Sequence, residues 1–188
     1  MKVLNSHRGA VAAAVIVIVL SVLFGFHRSA TAARADVEAQ FYSGTDANGY
    51  SIAADLEDCL DITANLLSVA GRYLNGEALA GLEGSRRELE ASLDADTSYN
   101  SIGNACRAYR RLAGEAETVL SALDEQALSE KDAGYVQGFR TDLAARADTI
   151  ARNPYNQMAE EFNQKTLGVF PANLLRHITF VREAETFR

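Results

Sequence analysis

Residues 51–75 read SIAADLEDCLDITANLLSVAGRYLN, and the spacing of their apolar positions decides the fold class. Leu56, Leu60, Thr63, Leu67, Ala70 and Leu74 recur at alternating steps of four and three, and Cys59, Leu66 and Tyr73 widen the stripe. A helix of about 3.6 residues per turn returns such positions to one side, whereas a strand would need alternation at every second residue. A face this broad suits a helix surrounded by several others, so it reads as bundle core rather than as a cofactor box. Ser51 stands at an N-cap position. Asn75-Gly76 reads as the stop signal, with Gly76 free to take the left-handed conformation.

Outward from this stretch the pattern stays helical. A shorter helix is expected from Glu77 to about Leu93, carrying Leu79, Leu82, Arg86 and Leu89. Asp94 to Ser98 breaks it, and Asp96 or Ser98 can cap the next helix. There Ile102, Tyr109, Ala116 and Leu123 repeat every seven residues, flanked by Ala105, Leu112 and Val119. Ser129 to Asp132 resembles a capping box, with Asp in place of the usual Glu or Gln. The last long helix carries Phe139, Leu143, Ala147, Ile150, Met158 and Phe162 towards Gly168, and Pro154 should kink it. Gly134 and Gly138, four apart, could let another helix approach closely, but outside a membrane they read first as ordinary helix glycines; Ser43 to Tyr50, rich in Gly, Asp and Asn, reads as a surface loop. The expected class is all-α.

From Gly9 to Phe26 run 18 consecutive uncharged residues, including Val15-Ile16-Val17-Ile18-Val19-Leu20. At about 1.5 Å per residue such a helix spans roughly 27 Å, close to the hydrocarbon thickness of a bilayer. Residues 1–8 form a short basic N-terminus, 9–27 the expected transmembrane helix, 28–170 one helical bundle and 171–188 a C-terminal tail. The competing reading is a secretory signal cleaved at Ala30-Thr31-Ala32, before Ala33, which would release a soluble helical binding protein. Against it, the apolar stretch exceeds the usual length of such signals, and helix-compatible sequence continues through Gln40. Basic residues nearly balance across the span: Lys2 and Arg8 precede it, and His27, Arg28 and Arg34 follow it. The former tip the bundle towards the side outside the cytoplasm.

The chain has 188 residues, two prolines and no tryptophan, a balance that favours helices over a loop-rich β-sandwich. Beyond Arg34, 14 basic residues face 25 acidic ones, a balance of −11 that argues against nucleic acid as a partner. Cys59 and Cys106 are too few for a disulfide framework and too far apart for a zinc or redox motif; they read as two buried thiols, or as one disulfide in an oxidising compartment.

His7, His27 and His177 cannot build a His-based metal site, since two flank the membrane segment, and the chain has neither a phosphate-binding Gly loop nor a Gly-x-Ser-x-Gly elbow. Glu57, Asp58 and Asp61 lack the Glu-x-x-His pairs of di-metal bundles and read as a solvated face. Arg86-Arg87 and Arg107, Arg110 and Arg111 read as surface ion pairs with neighbouring acids. No catalytic residue, metal or cofactor is expected. The partners expected are the lipid bilayer, through residues 9–27, and a membrane or envelope protein that an exposed bundle face or the tail would hold.

Near the C-terminus stand Ala151-Arg152-Asn153-Pro154-Tyr155-Asn156, Phe162-Asn163 and Phe170-Pro171-Ala172-Asn173-Leu174. This run resembles the C-terminal signature of the LemA family, an Ala-Arg pair before two Tyr-Asn pairs seven apart and a Phe-Pro-x-Asn-Leu segment. Asp55-Leu56 and Asp61 to Leu67, with Tyr73, resemble the first bundle helix of that family. The chain departs from the pattern at Phe162, at Ala64 where proline is usual, and in the longer spacing to Phe170, which marks a divergent branch. The resemblance implies a bacterial protein with an N-terminal membrane helix and an elongated antiparallel helical bundle, and names no reaction. Within the signature, Tyr155 and Phe162 are seven apart and should form one aromatic strip. Asn156 and Asn163 should stand beside it and bond to a neighbouring backbone; the alternative is that both face outward towards a partner.

Overall fold

The computed structural model describes residues 7–44, 50–96, 98 and 100–188. Most of the loop expected between Ser43 and Tyr50, and the basic Lys2, lie outside them. The chain is all-α, with no strand among the described residues. Its helices are α1 (His7–Ser43), α2 (Ile52–Ala70), α3 (Gly76–Leu93), α4 (Ile102–Asp124), α5 (Glu130–Arg152) and α6 (Tyr155–Glu161). A π-helical segment (Phe162–Leu167) and α7 (Ala172–Thr179) follow.

Two compact units result, and they cut across the boundaries drawn from sequence. One joins α1 up to Glu38 with Gln157–Ala184; the other joins Ala39–Asn156 with Glu185–Arg188. The tail from Pro171 is thus shared between the two units.

In the second unit α2 to α5 form a four-helix bundle, each following its predecessor through a short connection that reverses the chain. Helix α2 touches the other three. Its buried line is Ile52, Leu56, Cys59, Thr63, Leu66 and Ala70, so the residues expected only to widen the stripe are its centre, while Leu60 and Leu67 sit at the edge. On α3 the line is Leu79, Leu82, Ser85, Leu89 and Ser92. The two serines replace the expected Arg86, whose long side chain stays partly exposed and donates from Nε to the Leu60 carbonyl at 3.3 Å. Their small size lets a neighbouring helix approach, and their hydroxyls donate to the Leu82 and Leu89 carbonyls at 3.0 and 2.7 Å. The seven-residue repeat of α4 is observed with Ile102, Ala116 and Leu123 buried and Tyr109 partly so. A Cβ added at Gly134 or Gly138 would meet nothing within 4 Å, so neither marks a close helix approach.

Four boundaries differ from expectation. Helix α2 ends at Ala70, before a right-handed turn at Gly71, and Asn75 instead begins α3, its Oδ1 accepting from the Ala78 amide at 2.9 Å. Asn is as good an N-cap as a stop, and the unpaired amides of α3 take it. Helix α4 is capped by Ser101, which accepts from the Asn104 amide at 3.1 Å, and not by Asp96 or Ser98. Asp94 holds the Asp96 amide at 2.9 Å in a local turn, which starts the helix later. Pro154 ends α5 at Arg152 instead of kinking it, because the residue before a proline is driven to extended backbone, here Asn153 at ψ 131. Beyond α6 the helix widens to the π form and stops at Gly168, where any Cβ would stand 2.5 Å from the Gln164 carbonyl oxygen.

Ser129 accepts from the Asp132 amide at 3.1 Å, as in a capping box. The reciprocal bond is relayed: the Ser129 amide donates to the Tyr73 hydroxyl at 3.2 Å, and that hydroxyl donates to Asp132 at 2.6 Å. Arg72 adds an ion pair at 2.8 Å. The Tyr73 and Ser129 hydroxyls and the Arg72 guanidinium together hold the Asp132 carboxyl below the usual carboxylate range.

Candidate functional site

Three residues of the C-terminal signature, Tyr155, Asn156 and Asn163, bind the backbone of residues 184–187. In the bundle unit Tyr155 is 1% exposed. Its ring meets Phe41 edge-on at 5.6 Å, and its hydroxyl donates to the Glu185 carbonyl at 2.6 Å. Next to it, Asn156 Nδ2 donates to the Phe187 carbonyl at 2.9 Å and Oδ1 accepts from the Phe187 amide at 2.7 Å. One side-chain amide thus satisfies both backbone groups of one residue, which orients the Asn unambiguously. Phe187 is buried, its ring 5.6 Å from Phe41 and 5.9 Å from Tyr109.

The unit that contains α1 repeats the device. Asn163 Nδ2 donates to the Ala184 carbonyl at 3.0 Å, and Oδ1 accepts from the Ala184 amide at 2.8 Å. Phe162, Leu167, Val181 and Ala184 are buried. Tyr155 and Phe162, expected to form one aromatic strip, are each buried, Tyr155 in the bundle unit and Phe162 in the other. Residues 181–188 have no helical or strand bonding of their own, and the side-chain amides at positions 156 and 163 supply part of what secondary structure would. Sequence reasoning did not find Phe41, Ala184 and Phe187; the only signal was small or apolar residues at 181, 184 and 187, a spacing of three that is too short a run to read. The remaining signature residues, Phe170, Pro171, Asn173 and Leu174, are exposed.

Replacing either asparagine by alanine strips a carbonyl and an amide of their partner and should cost about 1 to 3 kcal/mol. Asn156→Asp and Asn163→Asp should cost at least as much as alanine, since the aspartate keeps the bond from the amide but sets a charged oxygen, with no proton to donate, against the carbonyl oxygen. Urea unfolding of the four variants checks both statements, and an aspartate variant as stable as wild type would refute the two-bond geometry.

One set of ion pairs in the bundle escaped the sequence reading, and another is of the surface kind expected of Arg111. Asp55 is buried and accepts from Arg146 of α5 at 3.1 Å, while exposed Asp58 shares that guanidinium at 3.2 Å. Arg111 pairs with Glu88 at 2.6 Å across α4 and α3. Between α4 and α5 lies a groove of about 230 Å³ lined by Leu112, Ala116, Leu120, Leu143 and Ala147, with Cys59 reaching it from α2 and the Arg140–Glu117 pair alongside at 3.0 Å. Cys59 and Cys106 are buried free thiols. Burial, with Asp55 and Asp58 nearby, pushes the Cys59 thiol up to about 12. Among the described residues no group of three or more His, Cys, Asp or Glu side chains is placed to hold a metal ion.

Helix α1 has 37 residues; its apolar part, which lies in the other unit, is long enough to cross a membrane, and none of that part is buried. Leu23, Phe26, Ala30 and Ala33 begin a partly or fully buried line at helical spacing further along it. Comparison with protein-family models, with curated proteins and with solved structures finds no match to this chain.

Proposed function

We propose that this chain is a single-pass, membrane-anchored helical-bundle protein, a divergent member of the LemA family, whose bundle lies outside the cytoplasm and holds another membrane or envelope protein without catalysing a reaction. The observation that carries the anchor is α1: Val15 to Leu20 and Phe24 stand about half exposed or more, a surface that water would not tolerate over such a length. The small-residue cleavage motif at Ala30 to Ala33 lies in mid-helix, with Ala30 buried, which favours an uncleaved anchor over a released binder. The last residues are engaged by Tyr155, Asn156 and Asn163, which favours a face of the bundle over the tail as the partner surface.

The expected result is that the protein stays in the membrane fraction through high salt and alkali and leaves with detergent, because burial rather than charge holds it. A mature N-terminus at Ala33 would overturn the anchor. Protease added to cells stripped of their wall should digest the bundle with the membrane intact; protection until lysis would place the bundle inside.

A further inference from the structure

In the unit that contains α1, the segment after the π-helix exposes Val169, Phe170, Leu174, Ile178 and Phe180, each at least half open. Leu174 and Ile178 are one helical turn apart on α7 and share a face. Phe180 ends that helix in the left-handed conformation at φ 58, a place that favours Gly or Asn, and its ring is 85% exposed. Large apolar side chains gathered like this on a surface call for cover.

The position of α7 indicates what the cover is. His27 Nδ1 lies 3.0 Å from the carbonyl oxygen of Thr179, and His27 is the residue directly after the uncharged run Gly9–Phe26. The end of α7, and Phe180 with it, is therefore held where the apolar span ends. At that depth a membrane passes from acyl chains to headgroups, the layer in which short amphipathic helices and aromatic rings settle. Arg28 and Arg182, both exposed, lie close in sequence to the two partners of that hydrogen bond and suit a headgroup layer.

We propose that α7, with Phe170 and Phe180 at its two ends, is an interfacial helix seated in the lipid surface beside the point where α1 leaves the bilayer. The proposal rests on the membrane-spanning reading of α1. Its consequence is a second lipid contact within the same unit, built from the Phe170 to Leu174 segment that the signature resemblance had singled out.

The chain has no tryptophan, so one introduced residue is a unique fluorophore. Leu174→Trp, Phe180→Trp, Val17→Trp and Tyr135→Trp would each be made in the full chain and reconstituted into phosphatidylcholine vesicles. The lipids would carry bromine either near the top or deep in the acyl chains. Tryptophan at 174 and at 180 should emit at shorter wavelength than at 135, an exposed position on α5, and lose intensity chiefly to the shallow bromines. Tryptophan at 17 should be quenched chiefly by the deep ones. Quenching at 17 with none at either 174 or 180 overturns the interfacial helix and leaves the anchor standing. No quenching at 17 removes the anchor, and the interfacial helix with it.

Discussion

Tyr155→Ala should lower the stability of the folded chain by about 3 to 5 kcal/mol, the loss that follows when a large aromatic ring is cut out of a packed core. The ring meets Phe41 edge-on at 5.6 Å and is tied at its tip to the Glu185 carbonyl at 2.6 Å, so truncation opens a cavity and removes a donor from that carbonyl together. Tyr155→Phe separates the two contributions. It keeps the ring and should cost about 1 kcal/mol, the net worth of one neutral hydrogen bond. Urea unfolding in mild detergent, followed by far-ultraviolet circular dichroism, measures both variants. If Tyr155→Ala unfolds at the wild-type midpoint, the signature belongs on an interaction surface and not in the core.

Cys59 should resist alkylation as long as the chain is folded. Raising its thiol from 9.0 to about 12 lowers the thiolate present at pH 8 by about a thousandfold, and the thiolate is the species that reacts. Burial of the side chain slows the reagent further. Burial also raises the Cys106 thiol, although Arg110 and Arg107 pull it the other way, so a Cys106→Ser variant gives the cleaner signal. Iodoacetamide should modify that variant at an ordinary rate in urea and at least about a thousandfold more slowly in buffer. Equal rates in the two would show that Cys59 is not enclosed. The same shift has a sign for stability. The unfolded thiol loses its proton near 9 while the folded one keeps it, so the contribution is complete below pH 9 and falls away between 9 and about 12.

What could be read from sequence was whatever the helix period carries by itself. The repeat of Ile102, Ala116 and Leu123 lies on one uninterrupted helix, and a uniform period survives folding unchanged. On α2 the period was right and its phase was slightly off: Leu60 and Leu67 were placed on the buried face with Leu56, Thr63 and Ala70, yet Cys59 and Leu66 fill that line and the two leucines sit at its edge. Asp55 was unreadable, since a carboxylate belongs in water until a partner appears, and its partner Arg146 is 91 residues away. Caps failed where two residue types could each do the work, as at Asn75. The asparagines at 156 and 163 were rightly seen to need backbone partners, but nothing local identifies Phe187 and Ala184 as those partners. An extended segment without a sheet has no period to betray it.

Each asparagine clamp addresses a peptide group and ignores the side chain attached to it. Mutational drift along residues 181–188 should therefore be free at Arg182, Glu183 and Thr186, and constrained at 184 and 187 in a particular way. Most residues can present the amide and carbonyl that the clamp requires, but proline has no amide hydrogen to give. Among natural variants, then, proline would be barred at 184 and 187 and burial would keep 181, 184 and 187 small or apolar, while the exposed positions between them would drift and the two asparagines that hold the segment would stand unchanged upstream.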